Sequence, residues 1–284
     1  MRARLVQRYD ALTPSGGRLP KEVASDLQHS LQLQTDDFLV ELLDVALRFA
    51  RPEISSFRVG AIALGASGAI YFGANQEYRG TQLVQTIHAE QAAIINAYEH
   101  GEKAISKLAI SAEPCGYCRQ FIRELSFADE LECLIGNETG ISSLRLDELL
   151  PRSFGPRDLG GEQGFFDRKE HGIDHNGVGE LSALATSAAK NSYAPYTGAF
   201  SGLAIETASG SYSGPYIENA AFNPSVAPLQ SALVNLVLAG DTKESISRLL
   251  LVQRSDAPVD HSAHCRTFAA SLGVEFLLES FHLP

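Results

Sequence analysis

The sequence predicts an α/β fold that occurs twice along one chain. Helices and strands alternate in the first half, the same order of elements returns in the second half, and two short segments about 140 residues apart resemble each other. The chain has 284 residues, of which 44% are hydrophobic and 20% charged. This length and composition are typical of a globular protein with one large domain or two ordinary ones.

The first half begins with a weakly patterned stretch and continues with clear elements. Residues 1–34 predict only a short helical segment, around K-E-V-A-S-D-L-Q-H-S-L. Residues 35–50 predict a helix, because Thr35 can cap it and apolar residues recur at helical spacing. The later predicted elements are a β-hairpin over 57–75, a helix over 88–98, a strand over 107–112, a helix over 115–125 and a strand over 131–135. This order indicates a parallel pair of strands joined by a helix.

The second half repeats that order after a stretch rich in Gly and Pro. A helix is predicted from about residue 178, a hairpin over 193–220, a helix over 228–240 and a strand over 248–252. The predicted organisation is therefore an N-terminal helical segment (1–34), a first domain (35–154), a linker (155–176) and a second domain (177–284).

Two helices predicted at equivalent positions share residues but differ in their polar groups. Aligned without a gap, segments 85–101 and 224–240 have Gln, Ala, Asn and Gly in common. Farther along, segment 114–118 is aligned with 258–262. The alignment replaces four polar residues, His88, Glu90, Cys115 and Cys118, by Ala227, Leu229, Val259 and Ser262. Their joint loss indicates a duplicated domain whose second copy has lost a chemical site; two similar domains with chance matches remain the alternative.

The charge balance and the hydropathy exclude several classes of protein. The net charge is −11 and no basic run occurs, so nucleic acid is not expected as a partner. No apolar stretch approaches the roughly 20 residues that span a bilayer, so no membrane partner is expected. The positively charged start lacks the apolar region of a signal peptide, which predicts a cytoplasmic location. In that compartment a C-x-x-C pair is more often a metal or redox site than a structural disulfide.

The residues of the first half can hold one metal ion. Cys115 and Cys118 stand at i and i+3 at the start of a predicted helix, so both thiols lie on one face. The N-terminus of a helix also favours thiolates. His88, at the start of another helix, can add a neutral imidazole, and this set of three ligands suits Zn²⁺.

Three protein ligands leave one tetrahedral position open, where zinc can lower the pKa of a bound water to about 7. Two thiolates weaken that effect by donating charge, so a nearby base matters. Glu90 is two residues beyond His88, and we expect it to face the water rather than the metal. A structural zinc knuckle and a thioredoxin-like redox pair are the alternatives, but no fourth ligand is evident.

The pair of motifs H-A-E and P-C-G-Y-C resembles that of a cytidine deaminase, of the long, homodimeric bacterial kind. The resemblance covers the chain from about Thr35 to its end. It implies a cytidine-deaminase-like three-layer α/β/α domain with a mixed sheet, duplicated, with a degenerate second copy and one zinc per subunit. By this resemblance His88, Cys115 and Cys118 bind the zinc, and Glu90 moves protons from water to ring N3 and to the departing amine.

The resemblance also implies a nucleoside site. In F-G-A-N-Q-E, Asn75 and Glu77 would bind the 3′-hydroxyl, and Gln76 would contribute its backbone at most. Phe57 would pack on the base, and Phe222 would reach the neighbouring subunit's site. A departure from the family pattern is Glu113, which stands where a small hydroxyl residue is expected before Pro-Cys.

The implied function is zinc-dependent hydrolytic deamination of cytidine and 2′-deoxycytidine in pyrimidine salvage. A deaminase of nucleotides or nucleic acid is one alternative, although the acidic charge and a carboxylate at the 3′-oxygen disfavour it. A nucleoside-binding or assembly protein with a structural metal is the other. Outside the site, Cys133 and Cys265 are predicted to be buried, and His171, His175, His261 and His264 are predicted to face solvent.

Overall fold

The structure, a computed structural model, describes residues 16–137, 140–161, 164–167, 171–175 and 177–283. It divides into two compact units. The first takes in the chain up to residue 79 and residues 86–155, and the second takes in residues 80–85 and 156–284. The domain boundaries given above stay a prediction. In the described part of the chain, no helix combines the length and the apolar character needed to cross a bilayer.

The first unit contains a sheet of six strands with helices packed on it. Its helices are α1 (Lys21–Leu31), α2 (Thr35–Glu41), α3 (Leu43–Ala46), α4 (Ala89–Glu99), α5 (Gly116–Arg123) and α6 (Leu146–Leu149). Its strands are β1 (Arg18–Leu19), β2 (Arg51–Pro52), β3 (Gly60–Gly65), β4 (Ile70–Ala74), β5 (Gln76–Glu77), β6 (Ile105–Ile110), β7 (Glu132–Asn137) and β8 (Gly140–Arg145). The sheet order is β1-β4-β3-β6-β7-β8, and β2 and β5 form a separate parallel pair.

The sheet is mixed, as predicted. The hairpin β3–β4 is antiparallel and β3 also pairs antiparallel with β6, whereas β6 and β7 run parallel and are joined by α5. A parallel pair needs such a crossover connection. The two edge strands of this sheet, β1 and β8, were not predicted.

Two glycines show that helices cover both faces of this sheet. Neighbouring residues of a strand point to opposite faces, and Gly60 lies opposite Ala74 whereas Gly73 lies opposite Ala61. A Cβ at Gly60 would lie 2.9 Å from Cβ of Ala46 in α3, and a Cβ at Gly73 would lie nearer than 3.0 Å to backbone atoms of α4. The helices α3 and α4 therefore pack on opposite faces, which gives the three layers predicted.

The N-terminal helices agree with the prediction in part. Residues 21–31 form the expected short helix. The single helix predicted over 35–50 is wrong, because α2, α3 and a 3₁₀ turn over Leu47–Phe49 take its place. The break falls at Leu42, whose φ of −71° and ψ of −15° are nearer to 3₁₀ than to α-helical geometry. Its apolar residues are nevertheless buried, as the spacing predicts.

The second unit repeats this architecture. Its helices are α7 (Glu180–Lys190), α8 (Pro228–Leu238) and α9 (Ser262–Leu272), and its strands are β9 (Ser201–Thr207), β10 (Ser211–Pro215), β11 (Ile246–Arg254) and β12 (Glu275–Phe281). The sheet order β10-β9-β11-β12 reproduces β4-β3-β6-β7, with the same antiparallel and parallel pairs. Gly202 meets α7 and Gly214 meets α8, as Gly60 and Gly73 meet their helices. The predicted duplication of the fold is confirmed.

All four histidines predicted to face solvent are buried or partly buried instead. His264 is partly buried and hydrogen-bonds Gln85. His261 is only 7% exposed and packs on the ring of Tyr216. His171 packs on Phe200, with ring centroids 3.8 Å apart, and His175 hydrogen-bonds Thr186. The Gly-rich composition around residues 171 and 175 led to the prediction of a solvated segment. The apolar residue between them, Ile173, is buried. The prediction for Cys133 and Cys265 is confirmed, since both are buried.

Candidate metal centre and nucleoside site

The first candidate ligand, His88, immediately precedes α4. Its backbone is extended, with φ −87° and ψ 154°, and its N–H donates to Oε1 of Gln91 at 3.2 Å. This is the reciprocal bond of a capping box. The preceding residue, Ile87, exchanges two backbone hydrogen bonds of 2.9 Å with Gln76. These contacts fix the direction in which the chain enters the helix and presents the imidazole.

The two candidate thiol ligands lie in the first turn of α5. Cys115 immediately precedes the helix and Cys118 is its third residue. Sγ of Cys115 lies 3.7 Å from Sγ of Cys118 and 3.5 Å from Nδ1 of His88. The three ligand atoms all lie within 4.8 Å of one another, so a single ion can reach all of them. A donor set of one imidazole and two thiols fits Zn²⁺.

The protonation of these groups also fits a cation. Hydrogen bonds from Cys118 and His88 lower the pKa of Cys115 to about 3, so this group is a thiolate at neutral pH. The hydrogen bond to Cys115, together with burial, raises the pKa of Cys118, and the hydrogen bond to Cys115 raises that of His88. The Cys115 thiolate thus lies between two groups whose pKa values are raised, and a divalent ion can take the place of their protons because metal ligands bind deprotonated.

Glu90 lies beside the thiols and is nearly enclosed. It is the second residue of α4, its side chain is only 4% exposed, and it hydrogen-bonds Cys118. Burial raises the pKa of its carboxyl group above the ordinary value. A buried carboxyl group within hydrogen-bond reach of a candidate metal ligand is well placed to accept and return protons.

Two further candidate residues organise the loop formed by residues 54–59. Glu77 accepts hydrogen bonds from the N–H of Ile54 at 2.9 Å and from the N–H and Oγ of Ser55 at 2.7 and 2.6 Å. Asn75 accepts from the N–H of Val59 at 2.9 Å and donates to the carbonyl of Phe57 at 2.8 Å. Both side chains are 8% exposed, so they shape the loop that carries Phe57.

The remaining candidates differ in their surroundings. The Gln76 side chain is buried and accepts a hydrogen bond from Tyr78 Oη at 2.6 Å. Its backbone is therefore the part of Gln76 that remains for the site. Phe57 is 62% exposed, as a ring must be to meet a ligand from solvent. It follows Ser56, whose φ of 59° lies in the left-handed region that disfavours non-glycine residues. Glu113, the departure from the family pattern, is exposed.

Ser55 was missed by the sequence analysis, although the second half holds a clue to it. There Glu218 accepts from the N–H groups of Tyr196 and Thr197 at 2.8 and 3.2 Å, and from Thr197 Oγ1 at 2.7 Å. This is the same arrangement as at Glu77. A hydroxyl residue precedes the glutamate by 22 positions in the first unit and by 21 in the second. That recurrence would have identified the pair.

The second unit has hydrogen bonds equivalent to those that support the site, but the candidate metal ligand His88 is replaced there. Gln230 accepts from the N–H of Ala227 at 2.8 Å, as Gln91 does from His88. Asn235 donates to a carbonyl of β10 at 2.7 Å, as Asn96 does to one of β4 at 3.0 Å. The supporting hydrogen bonds are therefore duplicated, while Ala227 stands where the imidazole would be.

The predicted alignment of segment 258–262 with segment 114–118 is wrong. That comparison placed Ser262 under Cys118, but α9 begins only at Ser262. Residues 111–115 connect β6 to α5, whereas the longer stretch 255–261 connects β11 to α9. By helix position, His261 and His264 therefore correspond to Cys115 and Cys118. His264 hydrogen-bonds Gln85, a residue of the short segment 80–85 that belongs to this unit.

Two family models match the chain. Both are described as "Cytidine and deoxycytidylate deaminase zinc-binding region", one over residues 33–131 and the other over residues 146–266. The two matches fall on the two halves in which the fold is repeated.

Curated relatives match most of the chain. A cytidine deaminase of Vibrio vulnificus is 46% identical over 81% of this chain and 77% of its own length. One of Aliivibrio fischeri is 42% identical over 93% of this chain and 88% of its own. One of Pectobacterium atrosepticum is 43% identical over 85% of this chain and 81% of its own.

Proposed function

This chain belongs to the cytidine deaminase family, and from that premise we propose that it deaminates both cytidine and 2′-deoxycytidine, in pyrimidine salvage. Zinc-dependent deamination of cytidine, in which water displaces the amine as ammonia, is the family's activity and is that of this enzyme. The observation that carries the proposal is the cluster of His88, Cys115 and Cys118 within 4.8 Å, with a buried carboxyl group beside it.

The site residues take the following roles in this proposal. His88, Cys115 and Cys118 hold the zinc, which when bound supplies the Lewis-acid chemistry that makes water nucleophilic near neutral pH. Glu90 accepts one proton of the attacking water and delivers it to ring N3, and later it takes the remaining proton of the added hydroxyl group and passes it to the leaving amine. Its hydrogen bond to Cys118 and its burial support this assignment. Exclusion of bulk water keeps the transferred proton between enzyme and substrate.

The nucleoside is held by the loop that Asn75 and Glu77 organise. Phe57 packs on the base, and Asn75 and Glu77 bind the 3′-hydroxyl, with Gln76 contributing its backbone. The 3′-hydroxyl is common to cytidine and 2′-deoxycytidine, which supports both as substrates. A carboxylate at that position repels a 3′-phosphate, which favours a free nucleoside over a polynucleotide.

The assembly in this proposal is a homodimer, with Phe222 completing the neighbouring subunit's site. Phe222 is 57% exposed and lies in the left-handed region, at φ 59°. Two backbone hydrogen bonds close the turn that carries it. The N–H of Phe222 donates to the carbonyl of Asn219 at 2.8 Å, and the N–H of Ser225 donates to the carbonyl of Phe222 at 2.9 Å. An aromatic ring held outward by a tight turn supports a contact with a second molecule.

Zinc content and ammonia release, measured on the same preparation, test the central assignment. We expect about one zinc per chain and expect Glu90→Gln to retain it while losing several orders of magnitude in rate, because the proton carrier is removed. Glu113→Gln makes the same chemical change at an exposed residue beside the motif and is the matched control, expected to keep its zinc and most of its rate. A Glu90→Gln variant that turns over like wild type would refute the role of Glu90.

The choice of substrate is tested in the same assay with cytidine, 2′-deoxycytidine, dCMP and a cytosine-containing oligonucleotide. We expect turnover of both nucleosides and little of the two phosphorylated substrates. Faster turnover of either phosphorylated substrate would contradict a free nucleoside as the preferred substrate.

A further inference from the structure

One aromatic ring lies flat against the candidate zinc ligand His88. Tyr117 is the second residue of α5, between the two cysteines. Its ring centroid is 5.2 Å from that of the imidazole, and the two planes are inclined by 25°. Offset stacking of this kind restrains the tilt of both rings.

Tyr117 and His88 are also joined through a third residue. Gln91 is fully buried. Its Oε1 accepts the backbone N–H of His88 at 3.2 Å, and its side chain hydrogen-bonds the Tyr117 hydroxyl. The first turns of α4 and α5 are thus connected at the backbone of the ligand and at the ring stacked on it.

In the described part of the chain, one ring nitrogen of His88, Nε2, lacks the partner that usually fixes a metal-binding histidine. A histidine that binds metal commonly donates its second N–H to a carboxylate or carbonyl group, which fixes the ring. Nδ1 of His88 faces Sγ of Cys115. Among the residues that the structure describes, none is found in a hydrogen bond with its Nε2. Besides the contact at Nδ1, the face of the ring is therefore where a neighbouring side chain holds the imidazole.

The second unit lacks both members of this stack. By helix position, Ala227 replaces His88 and Ala263 replaces Tyr117. The glutamine is kept, and its amide nitrogen donates instead to the carbonyl of Val84 at 3.0 Å. The stacked ring is thus present in the unit that has a histidine before this helix and is replaced by alanine in the unit that has alanine there.

We propose that Tyr117 is a positioning residue that fixes the His88 imidazole for zinc by stacking on it. The proposal rests on the ligand assignment made under Proposed function. Stacking is the main contribution, so the ring matters more than the hydroxyl group. Removing the ring lets the imidazole tilt, and zinc is then released faster.

The test compares Tyr117→Leu with Tyr117→Phe in the full-length enzyme. Release of zinc to an excess of a coloured chelator, and the visible spectrum of the Co²⁺-substituted protein, report on the ligands without reference to activity. We expect Tyr117→Leu to release zinc at least tenfold faster and to shift the cobalt bands, because loss of a residue that orients a metal ligand typically weakens metal binding 10- to 100-fold. Tyr117→Phe should stay within about threefold of wild type, since it keeps the stacked ring.

Tyr212→Leu is the matched control, because Tyr212 is likewise partly buried but lies in the second unit. It should release zinc at the wild-type rate. Equal release rates for Tyr117→Leu and wild type would overturn the inference, as would a Tyr212→Leu variant that loses zinc as fast as Tyr117→Leu. Wild-type protein that binds no zinc would overturn the proposed function as well, so the two failures are distinguishable.

Discussion

Glu77, for which we propose a role in ligand binding, also organises the loop that carries Phe57. Three N–H and O–H donors of Ile54 and Ser55 converge on its carboxylate. Burial alone would raise its pKa, but the hydrogen bonds from Ser55 and Ile54 lower it below the ordinary value. Because the folded-state pKa is lowered, the stabilisation is present above the unfolded pKa of about 4.3 and is lost as the pH falls through the folded pKa.

We predict that Glu77→Gln raises KM for cytidine roughly tenfold, with a smaller effect on kcat. The amide keeps one acceptor oxygen and turns an N–H toward backbone donors, so the loop that carries Phe57 loses its order. Glu218→Gln makes the same change against Thr197 and Tyr196 in the second unit. It should lower the melting temperature and leave KM unchanged. Steady-state kinetics and thermal unfolding of both variants check this, and equal KM effects would show that the loop argument is wrong.

At the scale of helices and strands, close approach through glycine positions the site. α4 carries Glu90 in its first turn and follows directly on His88, and it packs on β4 at Gly73. A methyl group there would lie nearer than 3.0 Å to the backbone of Ala93 and Ala89. Backbone cannot yield as the end of a flexible side chain does, so the helix must move away from the sheet.

Gly73→Ala and Gly214→Ala form a matched pair on this point. Each adds one methyl group between a strand and its helix, with Ala232 and Ser231 receiving it in the second unit. We expect each to destabilise its unit by about 1–3 kcal/mol, but only Gly73→Ala to lower zinc content and activity. Calorimetry with zinc analysis measures both. A Gly214→Ala enzyme that loses zinc to the same degree would contradict the assignment of the metal to the first unit.

Much of the arrangement of helices and strands could be predicted from sequence, and each wrong or missing prediction has a local cause. The capping positions of His88 and Cys115 follow from motifs that lie within one turn of helix. The register of α9 does not, because aligning Pro258 with Pro114 leaves out that the connection 255–261 is longer than 111–115. Tyr117 was passed over for a related reason: its partner, His88, is distant in sequence, and stacking leaves no periodic pattern. Ser55 could be recognised only by comparing the two halves.

At the scale of the whole molecule, both units have the supporting hydrogen bonds and the strand order, whereas the candidate catalytic and metal-binding residues lie in the first unit. The two sheets share strand order, the two glutamates hold equivalent loops, and both glutamines cap the residue three positions before them. In the second unit, by contrast, Leu229 stands at the position of Glu90 and is fully buried. The second unit keeps its scaffold without the acid and the metal ligands, which indicates that the scaffold itself is needed. In the proposed homodimer it is needed for assembly.

Mixing two defective subunits tests whether the second unit of one subunit contributes Phe222 to the site of the other. Glu90→Gln subunits keep Phe222 but lack the proton carrier, whereas Phe222→Ala subunits keep Glu90 but lack the ring. If Phe222 acts in the neighbouring site, a hybrid dimer contains one complete site, formed by Glu90 of one subunit and Phe222 of the other. Hybrids isolated after co-expression with two different tags should then have the wild-type KM and about half the wild-type kcat per dimer. If Phe222 acts within its own subunit, the hybrid keeps the kinetic defect of Phe222→Ala, and a purely monomeric protein yields no hybrid to isolate.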